Sequence, residues 1–427
     1  MKTGEEFPLT PTLSPLVPRR AREKHGAPSG FAALLCALVL CWPAAGDLDA
    51  QSYPRVWSQA FPATSPPQEE YCAMTYDSAR QLVVLFGGYS RDTDGTYANT
   101  WTWNGQNWSW AAVAGPGPRL SSVMSFDSQR GVCVLFGGDA LDGVVSDTWE
   151  WDGSSWQLRT TNGPPAGVQS AMAYDKRRGR TVLFGGTPCI GLCGAHPKYT
   201  WEWDGQQWSV VSTDGPPRRL GAALAYDEAR QQIVLFGGYD PGLRTYYSDT
   251  WTWDGTSWTQ IPAAGPSGRD SHAMVYDAER KTVVLMGGYG DSGFNGETWE
   301  WDGSQWTLRA SFFPPSRTHH GMAYDAARNE VVLYAGFSRD GEGYPINLHD
   351  TWLLRLAETW VDFAWPGFPI FPETGDFSMP FNTLAEGVNA APAGSIVRIK
   401  SGSRNEPIYI GKKLYVRAYG GPAVIGR

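Results

Sequence analysis

Residues 298–306 read TWEWDGSQW, and near copies stand at 100–108 (TWTWNGQNW), 148–156 (TWEWDGSSW), 200–208 (TWEWDGQQW) and 250–258 (TWTWDGTSW). They recur about every 50 residues, a spacing that marks a repeat architecture. Within each copy two Trp stand two residues apart and so share one face of an extended strand. The Asp-Gly or Asn-Gly that follows accepts the positive φ of a tight turn. Each copy is therefore expected to be a β-hairpin with a tryptophan-faced first strand.

Upstream of each hairpin lie two further segments. The first ends in an aromatic residue and Asp: AMTYD (73–77), VMSFD (123–127), AMAYD (171–175), ALAYD (223–227), AMVYD (273–277) and GMAYD (321–325). The second is an apolar run closing on Gly-Gly at Gly88, Gly138, Gly186, Gly238 and Gly288, with a degraded sixth copy, VVLYAG, ending at Gly336. Short apolar runs bounded by turn signals suit strands buried on both faces. Four such strands per period, six times over, predict an all-β array.

The Gly-Gly that closes the second strand, the Trp pair of the third, the Trp that opens the fourth and the period together resemble the kelch family of β-propellers. The resemblance covers residues 52–357 and implies blades of four antiparallel strands around a central channel. Only five Trp hairpins are complete, because the sixth repeat runs TWLLRL (351–356) with no Asp-Gly-x-x-Trp after it. The stretch beginning at Trp57 (WSQAF) matches the missing fourth strand. The expected fold is thus a six-bladed kelch-type β-propeller closed by an N-terminal strand, with Trp360 as the rival for that slot. An open ring would leave strand edges unpaired.

Outside the repeats, residues 1–46 read as a leader and signal peptide: Arg19, Arg20, Arg22 and Lys24, an apolar run from Phe31 to Trp42, then Ala44, Ala45 and Gly46. The apolar run, about 12 residues, is too short to span a bilayer, so no membrane span is expected after signal removal. Residues 358–379, with Pro366, Pro369 and Pro372, read as a linker. Residues 380–427 read as a small β-rich module: a short helix begun by a Thr383/Glu386 capping box, then strands. It resembles the opening of right-handed parallel β-helices of the pectate-lyase-like type. A secreted or cell-surface protein is implied. There Cys189 and Cys193, separated by the three residues Ile-Gly-Leu, are expected to form a local disulfide. Cys72 and Cys133 fall in strands as buried thiols. With 21 Trp and 50 Gly in 427 residues and a net charge of -8, the chain is turn-rich and acidic, which argues against nucleic-acid binding.

Strand parity divides the repeats into two faces. The first-to-second turns repeat Asp-x-x-Arg from Asp77/Arg80 to Asp325/Arg328, and such uniformity reads as structure. The opposite face carries second-to-third loops that vary in length and are rich in aromatics, the usual setting for recognition. Candidate ligand-binding residues there are Tyr89, Tyr239 and Tyr289, which suit stacking on a sugar or equally packing of the loops. The connectors add Arg119, Arg219, Arg269 and Arg317, a candidate carboxylate or sulfate crown whose alternative role is bonding to backbone. His272 and His320 share a register near the channel mouth. No metal or other cofactor is expected, because no cysteine is placed to complete a copper site of the galactose-oxidase type. No nucleophile elbow, phosphate loop or spaced carboxylate pair is present, so enzyme activity has little positive support. The reading is a secreted, monomeric, non-catalytic protein that binds an extracellular glycan or protein through the variable face. The alternatives are a carbohydrate-active enzyme resembling kelch-type sialic-acid epimerases, and a purely architectural cell-surface repeat.

Overall fold

The computed structural model describes residues 55–67, 69–111, 114–165, 167–188, 198–311, 313–361, 380–381, 384–391, 395–404 and 415–425. The leader, the Cys189/Cys193 pair and Thr383 of the capping box lie outside them. Six antiparallel four-stranded sheets dominate the described residues. Sheet 1 consists of Ala73–Asp77, Leu82–Ser90, Gly95–Trp103 and Trp108–Ala111. Sheet 2 consists of Val123–Asp127, Val132–Phe136, Thr148–Trp151 and Trp156–Thr160. Sheet 3 follows with Val168–Asp175, Arg180–Thr187, Thr200–Trp203 and Trp208–Ser212. Sheet 4 has Ala223–Asp227, Gln232–Phe236, Thr250–Trp253 and Trp258–Ile261, and sheet 5 has Ala273–Asp277, Thr282–Met286, Thr298–Trp301 and Trp306–Ala310. Sheet 6 takes Gly321–Asp325, Glu330–Arg339 and Pro345–Leu356 from the last repeat and its fourth strand from Arg55–Ala60. That strand pairs with Trp57 opposite Leu354.

The repeat motif acts between sheets as much as within them. In each complete hairpin the two Trp that flank the turn pack against each other, with ring centroids 5.4–5.6 Å apart. The second of them also donates its indole N–H to the Thr of the Thr-Trp pair in the third strand of the preceding sheet: Trp156 to Thr100, Trp208 to Thr148, Trp258 to Thr200 and Trp306 to Thr250. Trp108 of sheet 1 makes the same bond to Thr351 of sheet 6, and Trp57 makes it to Thr298 of sheet 5. Such bonds satisfy buried indole donors that would otherwise be costly. The first strand of each sheet packs on those of its sequence neighbours, and that of sheet 6 packs on that of sheet 1. Apolar clusters fill the seams; the one between sheets 6 and 1 joins Met74, Val83, Leu85 and Trp103 to Ala323, Val332 and Leu353.

The uniform face is built from the Asp-x-x-Arg turns. Asp77 accepts the backbone N–H groups of Ala79 and Arg80 and pairs with the Arg80 guanidinium at 2.7 Å. Asp127, Asp175, Asp227 and Asp325 do the same with Arg130, Arg178, Arg230 and Arg328. Arg80 then lies across Gly153 in the third-to-fourth turn of sheet 2, where an added Cβ would fall 1.8 Å from its Nε. The glycine of the Asp-Gly pair is therefore required by a neighbouring sheet's arginine as well as by its own φ of 94°.

After Leu356 the chain forms a three-stranded parallel sheet of Glu358–Val361, Ile396–Arg404 and Tyr415–Ile425. Trp360 stands opposite Arg398 in it, so the stretch expected as a linker contributes a strand and Trp360 does not edge sheet 6. The helix Leu384–Ala390 buries Leu384 and Val388 against Val397 and Ile399. No helix among the described residues is long and apolar enough to cross a membrane.

Candidate functional site

At the end of the sheets opposite the Asp-x-x-Arg turns, several second-to-third loops fold as hairpins of their own. Tyr239–Asp240 pairs with Thr245–Tyr246, and Arg269–Asp270 pairs with Tyr289–Gly290, which turns back into Gly293–Phe294. These ladders set the rings of Tyr239 and Tyr246 side by side, centroids 4.6 Å apart, and those of Tyr289 and Phe294 at 5.2 Å. Tyr246 reaches Tyr289 at 6.1 Å and Phe294 reaches Phe337 at 5.5 Å, so five rings from sheets 4, 5 and 6 form one continuous arc. Arg91 of sheet 1 caps it, its guanidinium 4.4 Å from the Phe337 ring centre and 2.7 Å from Glu70. Of the three tyrosines singled out in the sequence, Tyr239 and Tyr289 belong to the arc. Tyr89 instead donates its hydroxyl to Asp94 within its own hairpin.

Arg119, Arg219, Arg269 and Arg317 are at most 4 % exposed, and each is held inside its own sheet. Arg219 donates to the Pro217 and Gly237 carbonyls and grips both oxygens of Asp249 at 2.6 and 3.0 Å. Arg119 and Arg317 treat Asp147 and Asp350 alike, and Arg269 pairs with Glu297 at 2.7 Å. The same carboxylates accept the indole N–H of Trp149, Trp251, Trp299 and Trp352. Burial raises the Asp249 and Asp350 carboxyls, but the arginine bonds outweigh it and leave both below the ordinary range. The four arginines thus strut their sheets, which moves the ligand question to other residues on this face. The signal for this was present in the repeats: an acidic residue stands just before the Thr-Trp of each arginine-bearing copy. Where the arginine position holds Glu69 or Gly167, that acidic residue becomes Asn99 or Tyr199.

Glu69 is fully buried, and neither carboxylate oxygen has a hydrogen-bond partner. Burial pushes its carboxyl well above the ordinary value. The indole N–H of Trp101, whose counterparts bond the missing carboxylate, is also without a partner.

His272 and His320 line a small cavity between the first strands, each 7 % exposed, and neither ring nitrogen of either has a hydrogen-bond partner among the described residues. His272 lies against Gly237 of sheet 4, where a Cβ would come within 2.9 Å of its Cε1, and meets Phe236 edge-on at 5.6 Å. Burial, reinforced by the Arg269 charge, lowers His272 to about 3, and His320 falls well below its usual value by burial and the Arg317 charge. Both are neutral seam fillers at physiological pH. The rim they share carries a left-handed residue in every repeat, Tyr71, Ser121, Gln169, Gly221, Ser271 and His319. Backbone bonds join these residues, from Tyr71 to His319, His319 to Ser271, Ser271 to Gly221 and Gly221 to Gln169, with Ser121 donating to Tyr71. The cavity inside this rim is about 130 Å³, below the roughly 300–1,000 Å³ of small-molecule sites. No cluster of three or more His, Cys, Asp or Glu residues able to hold a metal occurs among the described residues.

A larger cavity, about 340 Å³, opens at the uniform face between the first strands of all six sheets and is lined by Met74, Tyr76 and their counterparts. Several of its phenols bond the preceding sheet's turn: Tyr76 accepts from Ala327 N–H and Tyr276 from Ala229 N–H. The Met-x-Tyr-Asp spacing of the first segments was its sequence signal.

No protein-family profile matches this chain, and no characterised protein shows significant sequence similarity to it.

Proposed function

We propose that the six sheets are the blades of one kelch-type β-propeller closed by the N-terminal strand, and that this is a secreted, non-catalytic binding protein. Support for the ring comes from the unbroken cycle of tryptophan-to-threonine bonds and from the place of Arg55–Ala60 in sheet 6. The parallel strands after residue 357 support a β-helix-like module. On this reading a glycan or protein docks on the variable-loop face. The observation that carries it is the aromatic arc, a run of half-buried rings with Tyr289 exposed, on the one face whose loops differ between repeats. The enzymatic alternative needs free guanidinium groups for a substrate carboxylate, and the arginines it requires are engaged by Asp147, Asp249, Glu297 and Asp350.

A photo-crosslinking residue placed at Leu243, an exposed tip of the variable face, is expected to capture a component of the protein's extracellular surroundings. The same residue at Ser128 on the uniform face is expected to capture none. Capture from Ser128 alone, or from neither, refutes the reading.

A further inference from the structure

We propose that the arc of Tyr239, Tyr246, Tyr289, Phe294 and Phe337 is a stacking platform for a neutral saccharide, with Asp270 and Asp291 accepting hydrogen bonds from its hydroxyls. This rests on the loop-face reading above and names its ligand class. Three features of the arc select that class.

The rings advance in steps of 4.6 to 6.1 Å, comparable with the length of one pyranose unit. Cross-strand pairing holds Tyr239 beside Tyr246 and Tyr289 beside Phe294, so little side-chain freedom remains to be lost on binding. Successive rings are tilted or edge-on to one another, with 36° to 81° between planes, so the arc presents a stepped row of ring edges and partial faces to the apolar C–H faces of sugars.

The ionisable groups that most influence the Tyr246 hydroxyl are acidic, and burial raises the Asp270 carboxyl to about 7, so that it is partly protonated at neutral pH. After burial itself, the strongest influences on the Tyr246 hydroxyl are the charge of Asp270, the neighbouring phenols Tyr289 and Tyr239, and the charge of Asp291, all acting in the same direction. Neither aspartate has an ion-pair partner among the described residues, whereas Arg219, Arg269 and Arg317 nearby are each matched by a carboxylate. Sugar hydroxyls find acceptors in Asp291 and in the ionised form of Asp270, and the guanidinium groups held by Asp249, Glu297 and Asp350 are not available to a carboxylated or sulfated chain.

The phenol hydroxyls of Tyr239, Tyr246 and Tyr289 make no hydrogen bond to other described residues. They stand beside the stacking faces as unused donors and acceptors, which a polyhydroxylated ligand satisfies. A protein hot spot favours a dry, fully enclosed pocket, whereas the Tyr289 side chain is 39 % exposed.

The test is calorimetric titration of the full chain with hexasaccharides: neutral cello-, xylo-, manno- and galacto-oligomers, and the acidic oligogalacturonate and a heparin fragment. At least one neutral hexamer is expected to bind and the acidic pair to bind more weakly or not at all. Tyr246→Ala and Tyr289→Ala should each weaken that binding about 3- to 10-fold, the range of a lost aromatic contact. Tyr289→Phe should retain most of it, and Trp110→Ala, on an exposed outer edge, should leave it unchanged. Thermal midpoints confirm that each variant is folded. Preference for the acidic oligomers, or neutral binding indifferent to both alanine variants, overturns the inference. Absence of all saccharide binding while Leu243 still captures a protein overturns this inference alone, whereas loss of capture as well removes the loop-face reading beneath it.

Discussion

Replacing Arg55 by Leu should unfasten the strand that completes sheet 6. The Arg55 side chain is 2 % exposed and forms an ion pair with Asp277 of sheet 5, itself fully buried, at 3.1 Å. It also donates to the Asn329 carbonyl and side-chain oxygen at 2.7 Å each, and to the Leu354 carbonyl at 3.3 Å. Its contact with Glu279, whose side chain is 38 % exposed, adds little after solvent screening. Asp277 differs from its five counterparts because Arg280 turns to Glu300 instead of pairing with it. Removing one partner of a buried pair costs about 3–5 kcal/mol, because the remaining charge is left without compensation. The expected result of Arg55→Leu is a loss of that size in urea unfolding, with faster hydrogen exchange concentrated in 55–60. Arg55→Leu combined with Asp277→Asn should recover a large part of the loss, since no charge is then orphaned. A single variant within about 0.5 kcal/mol of the parent, which is the ordinary range of surface changes, would refute the reasoning. So would a double variant as unstable as the sum of its parts.

Glu69 binds its proton more tightly folded than unfolded, so its contribution is fully present below the unfolded carboxyl range and is lost as pH rises through its elevated folded value. Glu69→Gln should therefore raise the urea midpoint at pH 8 and leave it unchanged near pH 4. His272 and His320 behave oppositely: with folded values below the ordinary 6.5, they favour folding above that pH, and His272 costs about 1.4 kcal/mol per pH unit as pH falls from there towards its folded value of about 3. His272→Ala, the residue type that Ala222 supplies in sheet 4, should flatten the acid limb of a stability-against-pH curve; an unchanged slope refutes the assignment. Gly153→Ala must displace Arg80, while Gly143→Ala, at a φ of 111° with open space around it, carries only the conformational cost of about 1–2 kcal/mol. Gly153→Ala should accordingly be the more destabilising of the two in thermal unfolding, and equality of the two refutes the arginine contact.

The strands of the repeats were legible because their signals are local. Two tryptophans at alternate positions, an Asp-Gly turn and an apolar run closing on Gly-Gly each act within a few residues, and the five complete hairpins and the strands before them follow from these signals. The place of Arg55–Ala60 was legible too, since a missing Trp strand at one end and a spare one at the other can be matched by counting. The uses of the same residues across seams were not legible. That Trp156 bonds Thr100, or that Arg80 occupies the space above Gly153, depends on how far one sheet is rotated from the next, and no short-range pattern encodes that angle.

The candidate site divides along the same line. Its location on the variable face came from composition and loop length alone, which already placed Tyr239, Tyr246, Tyr289 and Phe294 in the aromatic-rich loops. For the arginines the sequence left a choice between a ligand crown and bonds to backbone, and the acidic residue that accompanies each of them in the repeats becomes the answer only once packing shows the two meeting. Asp249 lies 30 residues from Arg219, and only packing brings the two together. Phe337 and Asp270 joined the arc for a related reason, because aromatic contacts and local field are properties of neighbours in space. What the chain's own letters determined is the repeating unit and its strands, through short-range periodicity; which charges are spent internally and which remain at the surface was decided by tertiary contact, because electrostatic pairing answers to distance and not to order along the chain.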